Sequence, residues 1–189
     1  RPVYGFLLEY SFGWVDSIRE LEWLRFAGAI GLGLIAVFLF GLLRRRGWSL
    51  AAAAFTAAMA SLVPAAQVIA SWATAWPYTV AALFSLAGFA LADNAHACWP
   101  GFRRSGAVLL MTLAALVYQP TGLFYCVGIA TALPSRRGRS WSENLRWVSV
   151  HLGIVFAGLV VAFLIVKALY LAEVFEASAR IMFERDPFG

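Results

Sequence analysis

The chain has 189 residues, of which 62% are hydrophobic and 13% charged, about half the charged share of an average soluble domain. Its mean hydropathy of +0.77 excludes an ordinary soluble domain, and it lacks the polar surplus, low-complexity tract or glycine period of a disordered or fibrous chain. The net charge is +5 and fourteen of the fifteen basic residues are Arg, but they fall in short clusters between apolar runs, which excludes a nucleic-acid-binding face and points to a membrane protein.

The sequence opens Arg1-Pro2 and closes Asp186-Pro187-Phe188-Gly189, and reads as an internal piece of a longer protein, a single membrane domain over 1–189. Residues 1–23 come first. Taken as one helix over Val3 to Trp23, they place Asp16 and Glu20 each within about 20° of Glu9, while Val3, Leu7, Trp14, Ile18 and Leu21 gather on the opposite face. Such a helix is expected to lie in the interface plane.

Six apolar runs follow over 24–172. A bilayer core of about 30 Å takes roughly 20 helical residues. Leu24 to Leu43 supplies them, with Arg25 at its edge; Leu50 to Ser71 is interrupted by Pro64 and Gln67; Tyr78 to Ala92 ends at Asp93-Asn94. Gly106 to Tyr118 and Thr121 to Leu133 are shorter and hinge at Gln119-Pro120, and Trp147 to Leu171 is the longest. Residues 173–189 begin another loop. The expected fold is an all-α polytopic bundle of about six transmembrane helices behind an interfacial helix.

Arg44-Arg45-Arg46, Arg103-Arg104 and Arg136-Arg137-Gly138-Arg139 with Arg146 follow the first, third and fifth runs. The positive-inside rule puts these loops in the cytoplasm and both ends outside. A single kinked helix over 106–133 would split the second cluster from the third, so a hairpin is expected there, with Tyr118 and Gln119 on a cavity wall. All eight tryptophans (14, 23, 48, 72, 76, 99, 141 and 147) fall at run ends or in flanking loops, as interfacial anchors do.

Chemistry is therefore sought on the outer face. One carboxylate of Glu9, Asp16 and Glu20, or one upstream of Arg1, serves as general base or holds a cation if it faces a cleft; otherwise the three are a solvated stripe. Gln67 is placed to hydrogen-bond a polar ligand, with Trp72, Trp76, Pro77 and Tyr78 as an aromatic rim or plain membrane belt. Arg25 and Lys167 snorkel or meet a lipid phosphate. Asp93, His96 and Cys98 match no usual metal spacing, His151 reads as a packed histidine, and Cys98 and Cys126 read as apolar packers. No P-loop, GxGxxG, HExxH or GxSxG occurs.

The order of features is an entry helix leading into Trp23-Leu24-Arg25, a span ending in an Arg cluster, and a Pro64-x-x-Gln67 span running into Trp72 and Trp76-Pro77-Tyr78. A short span ending Val117-Tyr118-Gln119-Pro120 and an outer Asp186-Pro187 complete it. This series resembles bacterial polytopic glycosyltransferases of the GT-C class, particularly the O-antigen glucosyltransferase-like membrane proteins. The resemblance implies an inner-membrane enzyme that transfers a sugar from a polyprenyl-phosphate carrier to a cell-envelope glycan or lipid acceptor on the outer face. Its partners would be membrane lipids and the lipid-linked sugar, with no nucleic acid and no cofactor beyond that donor; no residue pattern calls for a divalent metal. It further implies a catalytic acid in the first outer loop, upstream of Arg1, with Glu9, Asp16 and Glu20 as second choices. Arg1, Arg25 or Lys167 would screen the lipid phosphate, and Gln67, Trp72, Trp76, Tyr118 and Gln119 would wall the groove. A transporter or flippase-like protein with broken helices at Pro64 and Pro120, or a structural membrane subunit, is the competing reading.

Overall fold

A computed structural model describes residues 2–94 and 100–174. Every described element is a helix: α1 (Pro2–Phe12), a 3₁₀ turn (Ile18–Glu20), α2 (Leu21–Arg45), α3 (Leu50–Leu62), α4 (Pro64–Ser71), α5 (Trp76–Ala92), α6 (Pro100–Gly122), α7 (Phe124–Ala132), a second 3₁₀ turn (Leu133–Arg136) and α8 (Trp141–Leu171). Arg1, His96, Cys98, Trp99 and all residues beyond 174, where a further loop is expected, lie outside the described residues.

Local chemistry sets the boundaries. Ser49 Oγ accepts the Ala52 N–H to open α3, and Ser140 and Glu143 form a reciprocal capping box at the start of α8. Gly47, at φ +80°, turns the chain after α2 in a conformation that favours glycine. Proline opens α4 and stands in the first turn of α5, where its missing N–H removes no helical hydrogen bond.

Two helices are long and apolar enough to cross a bilayer: the 18–45 stretch containing α2, and α8. The pair 101–122 and 124–136 makes a third candidate span, bent by 79°. α3, α4 and α5 are shorter, at 13, 8 and 17 residues. The second apolar run is thus two helices, because Pro64 offers no N–H and Val63 is extended (φ −60°, ψ 152°).

The first expectation to fail is the continuous helix over Val3 to Trp23. α1 ends at Phe12, Gly13 turns back onto Glu9 O, Ser17 is extended, and a 3₁₀ turn leads into α2. Glu9 is therefore on a different helix from Glu20, and Asp16 lies in the connection. The 106–133 region also differs in detail. α6 kinks at Tyr118 (φ −158°, ψ 106°), two residues before Pro120, and the chain breaks helix again at Leu123 rather than at Gln119-Pro120. The arms nevertheless return to the same end. Arg46, Arg103, Arg104, Arg136, Arg139 and Arg146 line one cavity, so the three basic clusters share one end of the bundle.

α5 is the central rod. Ala82, Leu86 and Phe89 on it meet Leu32, Ile35 and Leu42 of α2, Ala107 and Met111 of α6, Tyr125 and Ile129 of α7, and Ile154 and Val155 of α8. A second cluster joins Leu39 and Leu43 of α2 to Ala53 and Ala57 of α3. Small residues let the backbones approach, as between helices in lipid. A Cβ on Gly28 would lie 2.9 Å from Ile69 O, and backbone cannot yield there. Gly128 lies against the Phe89 ring, itself boxed by Tyr125, Trp147 and His151. Large apolar side chains point the other way: Phe26, Ile30, Leu34 and Val37 along α2, and Leu152, Phe156, Phe163 and Leu164 along α8, are exposed. That pattern suits a lipid-facing surface.

Gly128→Ala is expected to destabilise the protein by about 1–3 kcal/mol, because the enclosed Phe89 ring has nowhere to move. Gly153→Ala, where a Cβ meets nothing within 4 Å, is expected to leave stability unchanged or raise it. Thermal unfolding of the detergent-solubilised variants, followed by tryptophan fluorescence, measures both.

Candidate functional site

The bundle has two chemically different ends. At the end away from the arginines, α1 lies against α5 and α6. Val3 and Leu7 pack on Ala81, Ala114 and Val117, and Val3 also reaches Leu116 and Ala162. Tyr4 stacks on Tyr78 with ring centroids 5.5 Å apart, and Tyr78 stacks on Tyr118 at 4.0 Å. Tyr4 Oη donates to Thr74 O at 3.1 Å. The extended backbone at Tyr118 is what turns its ring out of the α6 barrel toward this stack.

Beside the stack, Ser11, Trp14, Val15, Glu20, Trp23 and Leu24 line a pocket of about 390 Å³. The broken entry segment builds it: the turn after α1 presents Trp14, and the 3₁₀ turn presents Glu20 next to Trp23 on α2. Glu20 Oε2 accepts the Asp16 N–H at 2.8 Å, which orients the carboxylate. Trp14 and Trp23 are 73% and 70% exposed, leaving their faces accessible. Of the three acids singled out in the sequence, Glu20 alone lines this pocket; Glu9 and Asp16 are exposed elsewhere.

The other predicted site residues scatter. Arg25 is exposed in the second turn of α2, and Lys167 is exposed one turn before the end of α8. Gln67 Nε2 donates to Leu62 O at 3.4 Å, a carbonyl that the Pro64 break leaves without a helical donor. Trp72 is exposed, and Gln119 is exposed beside the half-buried Tyr118. Trp76 packs close to Gly28, and its Nε1, enclosed by protein, has no hydrogen-bond partner among the described residues. The rim and the kink therefore belong to one aromatic end, without forming a single groove.

The opposite end holds a cavity of about 590 Å³, which the sequence reading did not identify. Asp93, 6% exposed at its side chain, pairs with Arg46 through Oδ2. Its Oδ1 accepts from Trp147 Nε1 at 3.1 Å and lies 3.8 Å from His151 Nε2. The other ring nitrogen of His151 shares a 2.9 Å hydrogen bond with Tyr125 Oη. Arg136 stacks 4.7 Å above the Trp147 ring and donates from Nε to Asn144 Oδ1. Burial, and then the neighbouring Arg136 guanidinium, draw the Arg46 pKa below its usual value. Charge clustering at three loops was the signal available in the sequence. What it did not reveal is that Asp93 closes the ring from 47 residues away. Among the described residues no three His, Cys, Asp or Glu side chains gather in a metal-holding group.

Tyr4→Ala removes both the stack on Tyr78 and the bond to Thr74, and is expected to loosen α1 by about 1–3 kcal/mol. Faster amide exchange over residues 2–12, with α5 and α6 protected as before, is the expected reading.

No protein-family model, curated protein or solved structure matches this chain.

Proposed function

We propose that this chain belongs to a membrane-embedded glycosyltransferase that moves a sugar from a polyprenyl-phosphate donor to a cell-envelope glycan or lipid acceptor. The observation that carries this reading is the pocket in which the oriented Glu20 carboxylate stands with Trp14 and Trp23 at the entry to an apolar helix. Indole faces stack on the C–H faces of sugars. A carboxylate held by a backbone N–H is placed to take the proton of an attacking hydroxyl. In this reading Arg25, exposed one turn beyond Leu21, screens a departing lipid phosphate. The resemblance to GT-C enzymes adds a carboxylate upstream of Arg1 as the principal base, which makes Glu20 its partner within this chain.

In this reading all six apolar runs enter the bilayer, with α3 and α4 as one broken span and α6 and α7 as two, the basic end faces the cytoplasm of a bacterial inner membrane, and α1 rests in the outer interface. Support comes from the arginines meeting at one end and from α1 lying at the other. The breaks at Val63 and Leu123 also suit a transporter or flippase-like protein. Substrate movement into proteoliposomes without sugar transfer would favour that second reading.

Two outcomes are expected. In a sugar-transfer assay from a polyprenyl-phosphate donor, Glu20→Gln loses activity by about 10²-fold or more, whereas Glu9→Gln and Asp16→Asn stay near wild type. Full transfer in Glu20→Gln would remove the pocket from the mechanism. In intact cells, with Cys98 and Cys126 changed to Ser, an impermeant maleimide labels Gly13→Cys and leaves Arg137→Cys untouched; the reverse pattern inverts the topology.

A further inference from the structure

At the basic end, six guanidiniums face two carboxylates around about 590 Å³. Both carboxylates are already engaged: Asp93 holds Arg46 and Trp147, and Glu143 Oε2 accepts the Ser140 N–H of its own capping box. Among the described residues, the ion pairs are those of Asp93 alone. Arg103, Arg104, Arg136, Arg139 and Arg146 thus surround the cavity with no anionic partner among the described residues. Guanidiniums gathered within a Debye length of about 8–10 Å repel one another, and a bound anion relieves that repulsion.

The residue type narrows the anion. A guanidinium offers a planar fork of donors that matches phosphate oxygens two at a time, and several forks converging from different elements suit an ion with several oxygens. The arginines come from the α6 start, the 3₁₀ turn after α7, the loop that follows it, and the α8 start. They reach the cavity at the level where the apolar exposed surfaces of α2 and α8 give way to charge. Basic pockets between spans at that level hold phosphate head groups. Asp93 forms the fixed wall: it anchors Arg46, orients Trp147 and, through that ring, Arg136.

We propose that this cavity is a binding site for a phosphate-bearing anion, held by Arg103, Arg104, Arg136 and Arg139 against the Arg46–Asp93 wall. It lies at the opposite end of the bundle from the Glu20 pocket, and does not depend on the glycosyltransferase reading.

The test uses the purified protein in nanodiscs of neutral phosphatidylcholine, read by Trp147 fluorescence and by thermal unfolding. One arm adds inorganic pyrophosphate; the other replaces part of the lipid with cardiolipin. Stabilisation by pyrophosphate identifies a soluble phosphate source, and stabilisation by cardiolipin alone identifies a lipid head group; either supports the site. Arg103→Gln/Arg104→Gln is expected to weaken the effective arm by about tenfold or more. Arg45→Gln/Arg137→Gln removes the same charge from exposed positions that do not line the cavity, and is expected to change it less than about threefold. Equal losses in the two double variants reduce the effect to bulk charge and overturn the proposal, as does a wild-type protein that responds to neither arm. Because Arg103 and Arg104 sit in the half-buried to exposed first turns of α6, both variants should fold, and an unchanged ligand-free unfolding temperature verifies it.

Discussion

Like charges crowded at the end of a helix bundle must be held apart or neutralised, and here a single buried carboxylate organises them. Asp93 follows the last turn of α5 and binds Arg46 at the end of α2 and Trp147 in the second turn of α8. Three helices that are distant in sequence therefore meet on one side chain. Removing one partner of such a buried ion pair typically costs about 3–5 kcal/mol, since the remaining charge is left uncompensated. Around it, Phe89 meets Tyr125 and Trp147 edge-on, and His151 closes the shell with Tyr125. The polar ring is thus mounted on the central core rather than on a loop. Through Trp147 that mounting also orients Arg136 beside the cavity.

Packing elsewhere follows from the solvent. Lipid tails are as apolar as the side chains, so helices gain little by hiding leucine and more by close approach. The buried positions of α5 are accordingly rich in small residues, with Thr79, Ala81, Ala82, Ser85 and Gly88 among them. Buried hydroxyls turn inward to satisfy themselves: Ser85 Oγ donates to Ala81 O, and Thr112 Oγ1 to Val108 O, with Gly158 O of α8 also in reach at 3.3 Å. That last contact is one of the few polar links between helices at mid-bundle. The others lie at the two ends, which leaves the ends to carry the chemistry.

How legible this was in the sequence depends on range. The Arg clusters after alternate apolar runs place the basic loops together, and the structure brings six of those arginines to one cavity. Tyr118-Gln119-Pro120 marks the break in α6 within a residue or two, because proline disturbs the preceding turn whatever surrounds it. The periodicity of Val3 to Trp23 misled, since a wheel assumes an unbroken rod; Gly13 and Asp16-Ser17 are turn signals that the regular spacing of acids concealed. Asp93-Asn94 is legible in the sequence as the polar end of an apolar run. Which partners Asp93 finds is a tertiary matter, fixed by helices packing at a sequence separation of 47 and 54 residues, and no local pattern encodes that.

The two pockets stand at opposite ends of α2: Glu20 immediately precedes it and Arg46 immediately follows it. Its 25 residues measure about 37 Å at 1.5 Å each, more than the roughly 30 Å of a hydrocarbon core. One phosphate cannot touch both sites. A ligand engaged near Glu20 and an anion of the kind proposed among the arginines would therefore be two separate ligands. Whatever links the two must pass through the rods between them. The most direct path is the α5 column from Tyr78, stacked on Tyr4 and Tyr118, to Asp93 beneath Phe89. Its buried positions are rich in small residues beside Leu86 and Phe89, and a rigid element of this kind transmits a shift at one end only by moving as a whole.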